Sequence, residues 1–262
     1  MTVSAHNESA RPLEGLGVLL TRPRAQAEPV AAQLREAGAE VFVFPTLEIV
    51  GTSLSRESEA ALASLAEASL AVFVSANAVE HGLAAAVARG PWPGAVRAAT
   101  VGQATANRLR AEGLPDVIAP TERFDSEALL ALIPDALVAG RRVLIFRGVG
   151  GRDHLRASLE ARGARVAYVE CYRRVRPTCD ASALREAIAA GRVRAAQAMS
   201  AEALANLIDL AGADLPWARI TLLVPHPAIA ASPAAAIFGR RVLAEASGAP
   251  LIETLSHLRR AA

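Results

Sequence analysis

The 262-residue sequence predicts an α/β fold: two similar doubly wound parallel-sheet domains, one inserted in the other, joined by a two-stranded β-ladder hinge. Three observations carry this reading. An internal repeat runs through the chain, short apolar runs alternate with helical patterns, and two extended segments bounded by proline fall where the chain would cross between domains.

The repeat comes first. Val18-Leu19-Leu20-Thr21-Arg22-Pro23 resembles Val143-Leu144-Ile145-Phe146-Arg147-Gly148, 125 positions later. Leu34-x-x-x-Gly38-Ala39-x-Val41 returns as Leu159-x-x-x-Gly163-Ala164-x-Val166, and Ser75 aligns with Ser200, both at the same spacing of 125. Three matches at one gapless offset mark a true duplication.

The apolar runs 16–20, 41–44, 143–146 and 166–169 are short and bounded by turn residues, as strands buried on both faces require. Between them, 25–37 and 151–162 carry apolar residues at helical spacing. Gly38 and Gly163 then stand where a helix ends in a left-handed residue. Strand-like 71–74, 97–101 and 220–224 each precede a helix-like stretch, at 77–89, 104–112 and 228–238. The expected domains are 1–44 with 176–262, and 50–169, with linkers at 45–49 and 170–175. Val43–Val50 and Val169–Pro177 are expected to run side by side, ended by Pro45 and Pro177.

Composition removes whole reaction classes. The chain has 52% hydrophobic residues and only 4% aromatic ones, so it buries an aliphatic, alanine-rich core. Its formal charge of +2 is too even for a nucleic-acid partner. It contains no lysine, which excludes a phosphate loop of the Gly-Lys-Ser/Thr type and any lysine Schiff base. Cys171 and Cys179 lack metal-ligand spacing and fit a reducing compartment, so no metal is expected. The first fifteen residues have no apolar core like that of a signal peptide. Residues 220–239 lack charge, but Pro225, Pro227 and Pro233 read as strand, turn and small helix, not a membrane span. A cytoplasmic protein with no membrane partner is the expectation.

In doubly wound sheets, ligands bind beyond the carboxyl ends of the strands, where helix N-termini offer unpaired N–H groups. The residues at those ends are Thr21 and Arg22; Ser75, Ala76 and Asn77; Gly102 and Thr105; Arg147, Gly148 and Arg152; Ser200; and His226. Each also has a plain structural reading. Thr21, Ser75 and Ser200 suit N-caps, Thr105 could bond back within its helix, and Arg147 could pair with acidic neighbours. Gly148–Gly151 does not complete a dinucleotide fingerprint, because Asp153 replaces its last glycine. His226 has no second ligand spaced to make a metal site or triad. There is no nucleophile elbow, zinc-protease motif or carboxylate dyad. An enzyme built this way would shape and desolvate a reactive substrate.

Taken as an ordered set, Val18-Leu-Leu-Thr-Arg-Pro23, Phe44-Pro-Thr-Leu47, Val72-Phe-Val-Ser-Ala-Asn-Ala-Val79, Val101-Gly-Gln-Ala-Thr-Ala106, Arg147-Gly-x-Gly-Gly-Arg152 and Tyr172-Arg-Arg174 resemble the uroporphyrinogen-III synthase family, from about residue 14 onward. The resemblance implies two α/β domains and the cyclisation of hydroxymethylbilane, with loss of water and inversion of ring D through a spiro intermediate. It implies no cofactor, a monomer, and at most transient contact with the preceding enzyme of the pathway. By position it makes Tyr172 the catalytic candidate and Thr21, Arg22, Ser75, Ala76, Asn77, Gly102, Thr105, Arg147, Gly148, Ser200 and His226 the substrate contacts. Val74 and Met199 stand where the family commonly has threonine before the serine. Pro225-His226-Pro227-Ala228 replaces its Gly-Pro-Thr-Thr-Ala, so His226 or backbone N–H groups are expected to meet a carboxylate there. The competing readings are a non-catalytic two-lobed small-molecule-binding protein and a regulatory homologue of the synthase. A sugar site would need aromatic platforms, and only Trp92 and Trp217 are available.

Overall fold

The computed structural model describes residues 11–260 apart from Phe124 and Arg152; the Arg152 expectation therefore lies outside the described residues. In chain order the elements are β1 (Gly17–Leu20), α1 (Arg24–Glu36), β2 (Glu40–Val43), β3 (Glu48–Gly51), α2 (Arg56–Ala63) and β4 (Ala68–Phe73). There follow α3 (Ala76–Val87), β5 (Arg97–Thr100), α4 (Gln103–Ala111), β6 (Val117–Ile118) and α5 (Ser126–Leu132). The second half holds β7 (Arg142–Gly148), α6 (His154–Ala161), β8 (Arg165–Val175), α7 (Ser182–Ala189) and β9 (Ala195–Gln197). It ends with α8 (Ala201–Ala211), β10 (Thr221–Val224), α9 (Pro227–Ala230), β11 (Arg240–Leu243) and α10 (Gly248–Arg260). Among the described residues no helix is long and apolar enough to cross a membrane.

Two compact units result. One runs up to Glu48 and resumes at Val175; the other is Ile49–Arg174. The first holds a five-stranded sheet ordered β11-β10-β9-β1-β2, parallel throughout. The second holds a six-stranded sheet ordered β3-β8-β7-β4-β5-β6, parallel from β8 to β6. Each sheet is buried on both faces. In the first unit, α7 and α8 cover one side around Leu204, Leu207 and Trp217, while α1 and α10 cover the other around Leu34 and Leu255. In the second, α3 packs over Phe73 and Phe146, and α5 with α6 packs over Leu70 and Ile145.

The repeat does not coincide with the units. Shifted by 125 positions, β1, α1 and β2 fall on β7, α6 and β8, while β4, α3, β5 and β6 fall on β9, α8, β10 and β11. Even α2 and α5, which share no obvious sequence with their counterparts, fall on α7 and α10. The first half of the duplication therefore gives two strands to the five-stranded sheet and four to the six-stranded one, and the second half gives three and two. The two units are related by circular permutation, and neither is a single contiguous copy.

Of the expected linkers, 170–175 lies within the sheet and 45–49 enters it only at Glu48. β8 runs unbroken through 170–175, and β3 occupies the sheet edge beside it, with the Thr52 N–H donating to the Cys171 carbonyl at 3.4 Å. In the first half the counterpart of β8 is split into β2 and β3 by Phe44-Pro45-Thr46-Leu47, because proline offers no N–H to the ladder. The helix expected over 228–238 is also interrupted. α9 stops at Ala230, and a 3-10 turn restarts at Pro233 after an extended Ser232, the conformation that a following proline imposes. The predicted start of α6 moves from 151 to His154, since Gly150 and Gly151 hold positive φ of 72° and 119°.

The glycine pair behaves as its spacing predicts. Gly38 and Gly163 have φ of 98° and 88°, and the following Ala39 and Ala164 N–H groups donate back to the Leu34 and Leu159 carbonyls. This is the Schellman ending, with the leucine in the core beneath it. A Cβ on Gly38 would also approach Glu14 N to 3.1 Å, whereas one on Gly163 would find its nearest atom at 3.7 Å. Gly163→Ala should cost about 1–2 kcal/mol of stability from the left-handed backbone alone. Gly38→Ala should cost visibly more. Urea unfolding of the two variants measures the difference; equal losses would mean that the Glu14 contact carries no weight.

Candidate functional site

In an open parallel sheet a crevice forms where adjacent strands send their connections in opposite directions. In the 49–174 unit that point lies between β4, which leads to β5, and β7, which leads to β8. A cavity of about 680 Å³ opens there. Its walls come from the ends of strands (Val74, Val101, Arg147, Gly148, Tyr172) and the starts of α5 and α6 (Ser126, His154).

Tyr172 is brought to this crevice by an irregularity. β7 and β8 pair Arg147 with Glu170 but Gly148 with Tyr172, so one extra residue bulges from β8. Strict alternation would put Tyr172 on the side of Tyr168 and Glu170. The bulge instead turns it with Cys171 into the core beneath α3. There its ring is 6% exposed, and its hydroxyl lies 3.1 Å from Ser75 Oγ. Ser75 also accepts from the Ala78 N–H at 3.2 Å, capping α3. Gly148 is required beneath the ring, since a Cβ there would come within 2.6 Å of Tyr172 Cε2. The His81 ring stands 6.0 Å from the Tyr172 ring, centroid to centroid.

Arg147 also lines the cavity, but its guanidinium is engaged. It is 6% exposed and meets Asp153 Oδ1 at 3.2 Å and Glu170 Oε1 at 3.8 Å. It also lies 4.3 Å from the centre of the Tyr168 ring. The Tyr168 hydroxyl donates to the same Asp153 oxygen at 2.8 Å. That hydrogen bond, with Arg147 as a second donor, holds the Asp153 carboxyl below its ordinary range; burial and the Asp153 bond push the Tyr168 phenol up. Gly151 leaves room for this arginine, because a Cβ there would lie 2.7 Å from Nη2. An anionic ligand reaching Arg147 would have to displace protein carboxylates.

On the next loop Gly102 caps α4 with an extended backbone, and Thr105 is buried one turn in. Among the described residues the Thr105 hydroxyl makes no hydrogen bond back into the helix. Ala76 and Asn77 are the first two residues of α3. Beneath this loop the Thr100 hydroxyl is buried without a partner among the described residues.

The other unit has its own crevice point between β9 and β1, and there the gap is filled. Thr21 is fully buried and donates to the Gln197 carbonyl at 2.9 Å. It is not an N-cap, since α1 is preceded by Pro23. Arg22, the counterpart of Arg147, donates through Nε and Nη2 to Gln197 Oε1 at 3.2 and 2.9 Å, and also to the Ala246 carbonyl. Burial lowers its pKa. Ser200 caps α8 by accepting from the Ala203 N–H at 3.0 Å. His226 caps α9: its Nδ1 accepts from the Ala228 N–H at 3.1 Å, so a neutral ring carries its proton on Nε2, facing solvent.

The structure thus places Arg147, Gly148 and Tyr172 on the wall of one cavity, with Ser75 beside it through its contact with the Tyr172 hydroxyl, while Gly102 and Thr105 stand at the start of α4. Thr21 and Arg22 stand apart, closing the floor of their own sheet edge. Sequence reading missed Tyr168, Asp153 and Glu170. The only available signal was Tyr168 and Glu170 alternating with Ala167 and Val169 inside β8, and Asp153 just ahead of α6. Among the described residues no cluster of His, Cys, Asp and Glu could hold a metal ion.

Residues 28–251 match the sequence model of the family HEM4: Uroporphyrinogen-III synthase HemD. The chain is 38% identical over 161 residues to uroporphyrinogen-III synthase of Salmonella typhimurium, covering 61% of this chain and 65% of that protein. It is 40% identical over 169 residues to that of Synechococcus elongatus, covering 62% of each. The matched stretch thus spans somewhat less than two thirds of these relatives. In structure it resembles a mutant uroporphyrinogen III synthase from the extremely thermophilic bacterium Thermus thermophilus, with a TM-score of 0.60 at 22% identity over 94% of this chain and 98% of that one. The enzyme from Helicobacter pylori gives the same TM-score at 12% identity, over 94% and 100%. At those identities the likeness speaks for the fold, and the family model speaks for descent: the chain belongs to the uroporphyrinogen-III synthase HemD family.

Proposed function

We propose that this protein is a uroporphyrinogen-III synthase, a cytoplasmic monomer that closes hydroxymethylbilane to uroporphyrinogen III with loss of water. The observation that carries the reading is the Tyr172 hydroxyl, held 3.1 Å from Ser75 Oγ at the mouth of the β4–β7 crevice. The substrate's hydroxyl leaves as water, which requires one proton. Ser75 accepts from Ala78, and either hydroxyl can donate in its contact with Tyr172; in the arrangement the mechanism uses, Ser75 gives its O–H to the Tyr172 oxygen. The phenol proton is then free to point into the cavity and protonate the leaving hydroxyl. The resulting azafulvene is attacked by the substituted α carbon of ring D. The spiro intermediate fragments and recloses with that ring inverted, and loss of a ring proton completes the balance.

The rest of the work is positioning. The substrate bears eight carboxylates, and the carboxyl edges of both sheets present helix N-termini, at Ser75 to Asn77, Gly102 to Thr105, Ser200 and His226, that suit anions. We assign Thr21 and Arg22 to holding their sheet edge. Arg147 is assigned to orienting Gly148 beneath Tyr172 and to exchanging Asp153 for a substrate carboxylate.

With hydroxymethylbilane supplied and product isomers separated, isomer III should predominate; isomer I alone, at the spontaneous rate, would refute the activity. Tyr172→Phe should lower kcat about 100-fold, in the range of general-acid contributions, with an unchanged unfolding curve. Wild-type kinetics would remove the phenol from the mechanism. Gly148→Ala should reduce activity well beyond any loss of stability, because its Cβ displaces the Tyr172 ring; a variant as active as wild type would show that ring placement is not limiting. Thr105→Ala should raise KM with little change in kcat, and an unchanged KM would reduce Thr105 to a local structural role.

A further inference from the structure

The five-stranded sheet has a second groove, at the edge opposite its loops Thr21–Pro23, Ser200 and His226. It holds about 360 Å³ and is walled by Arg194, Arg219, Arg240 and Arg259, with Thr221 and Leu258 between them. The placement follows from strand register. Arg194 immediately precedes β9, Thr221 opens β10 and Arg240 opens β11, and Thr221 is paired with both Ala195 and Arg240. Three adjacent strands about 4.8 Å apart therefore begin with basic side chains on either side of a hydroxyl. The last turn of α10 adds Arg259.

Helix ends account for one of these cations. Arg259 sits at the C-terminus of α10, where the dipole favours positive charge, and it donates to the Pro12 carbonyl. Arg194, Arg219 and Arg240 make no ion pair or side-chain hydrogen bond among the described residues, and the Thr221 hydroxyl is likewise unpartnered among them. Some arginines elsewhere are matched with carboxylates, as Arg185 is with Asp214 and Arg192 with Glu40; the groove is distinguished by four arginines lining one concavity with no carboxylate among its lining residues. The formal charge of the whole chain is only +2. Four arginines line one concave groove, and like charges gathered in this way repel. A groove lined by one sign of charge also focuses that potential on whatever enters it.

We propose that this groove is a binding site for a small multivalent oxyanion, a diphosphate or a short polycarboxylate. The planar forks of several arginines can each grip two oxygens of such a ligand, and Thr221 supplies a further donor. The volume, about half that of the carboxyl-edge cavity, fits an anion of that size and not a tetrapyrrole. Occupation would leave the strand ends that carry Ser200 and His226 untouched, so the site is independent of the activity proposed above.

The test is calorimetric titration of the full chain with pyrophosphate and, separately, with citrate, against sodium chloride of equal ionic strength. Saturable one-to-one binding of either ligand is expected, and the arm that saturates identifies the phosphate or carboxylate source. The Arg194→Gln/Arg240→Gln variant should bind at least about tenfold more weakly, with the same unfolding curve and unchanged tetrapyrrole cyclisation. The Arg110→Gln/Arg123→Gln variant, which removes the same charge from the other unit, should bind like wild type. No saturation beyond chloride, or equal weakening in both variants, would overturn the proposal.

Discussion

The central ladder of each sheet joins the two halves of the duplication, and the rest of the molecule depends on it. In the five-stranded sheet β1 pairs with β9, Val18 against Ala195; in the six-stranded sheet β4 pairs with β7, Ala71 against Leu144. Without these ladders the strands that each half contributes could not cover their apolar faces. These are also the pairs on whose two sides the connections diverge. The same hydrogen bonds that close the core therefore open the crevices. The partners lie far apart along the chain, so much closure entropy is spent before either core forms.

The duplication then diverged at the equivalent arginines. Arg22 and Arg147 occupy the same place at the end of the first strand of each half, and both turn inward. Arg22 finds Gln197 on the neighbouring strand and seals its crevice. The residue matching Gln197 in the other sheet is Val72, fully buried and apolar. Arg147 consequently swings to Asp153 and Glu170 and leaves the crevice as a cavity. The filled switch point thus has a glutamine beside its arginine where the open one has a valine.

Tyr172 shows how locally a site can be set. Its counterpart in the first half is Leu47, in the stretch where Pro45 breaks the strand. In the second half no proline intervenes, the strand continues, and a single bulge rotates the phenol onto Ser75. A one-residue slip in the pairing moves a side chain to the opposite face of a sheet. The glycine at 148 makes the new position sterically possible.

The sequence by itself determined the α/β class, the 125-residue duplication, the main strands and the Schellman glycines. These follow from local periodicity and from backbone conformations that only glycine adopts without strain. It also placed the candidate residues at strand ends, because helix starts announce themselves through Ser75, Gly102, Ser200 and His226. What it could not carry was the partnership between elements. That each half divides its strands between two sheets, that Arg147 is neutralised by Asp153, and that Tyr168 joins that pair are facts of register and side-chain geometry. Only the tertiary structure decided which strand ends became neighbours, since hydrogen-bonded ladders join residues whose separation along the chain leaves no local trace.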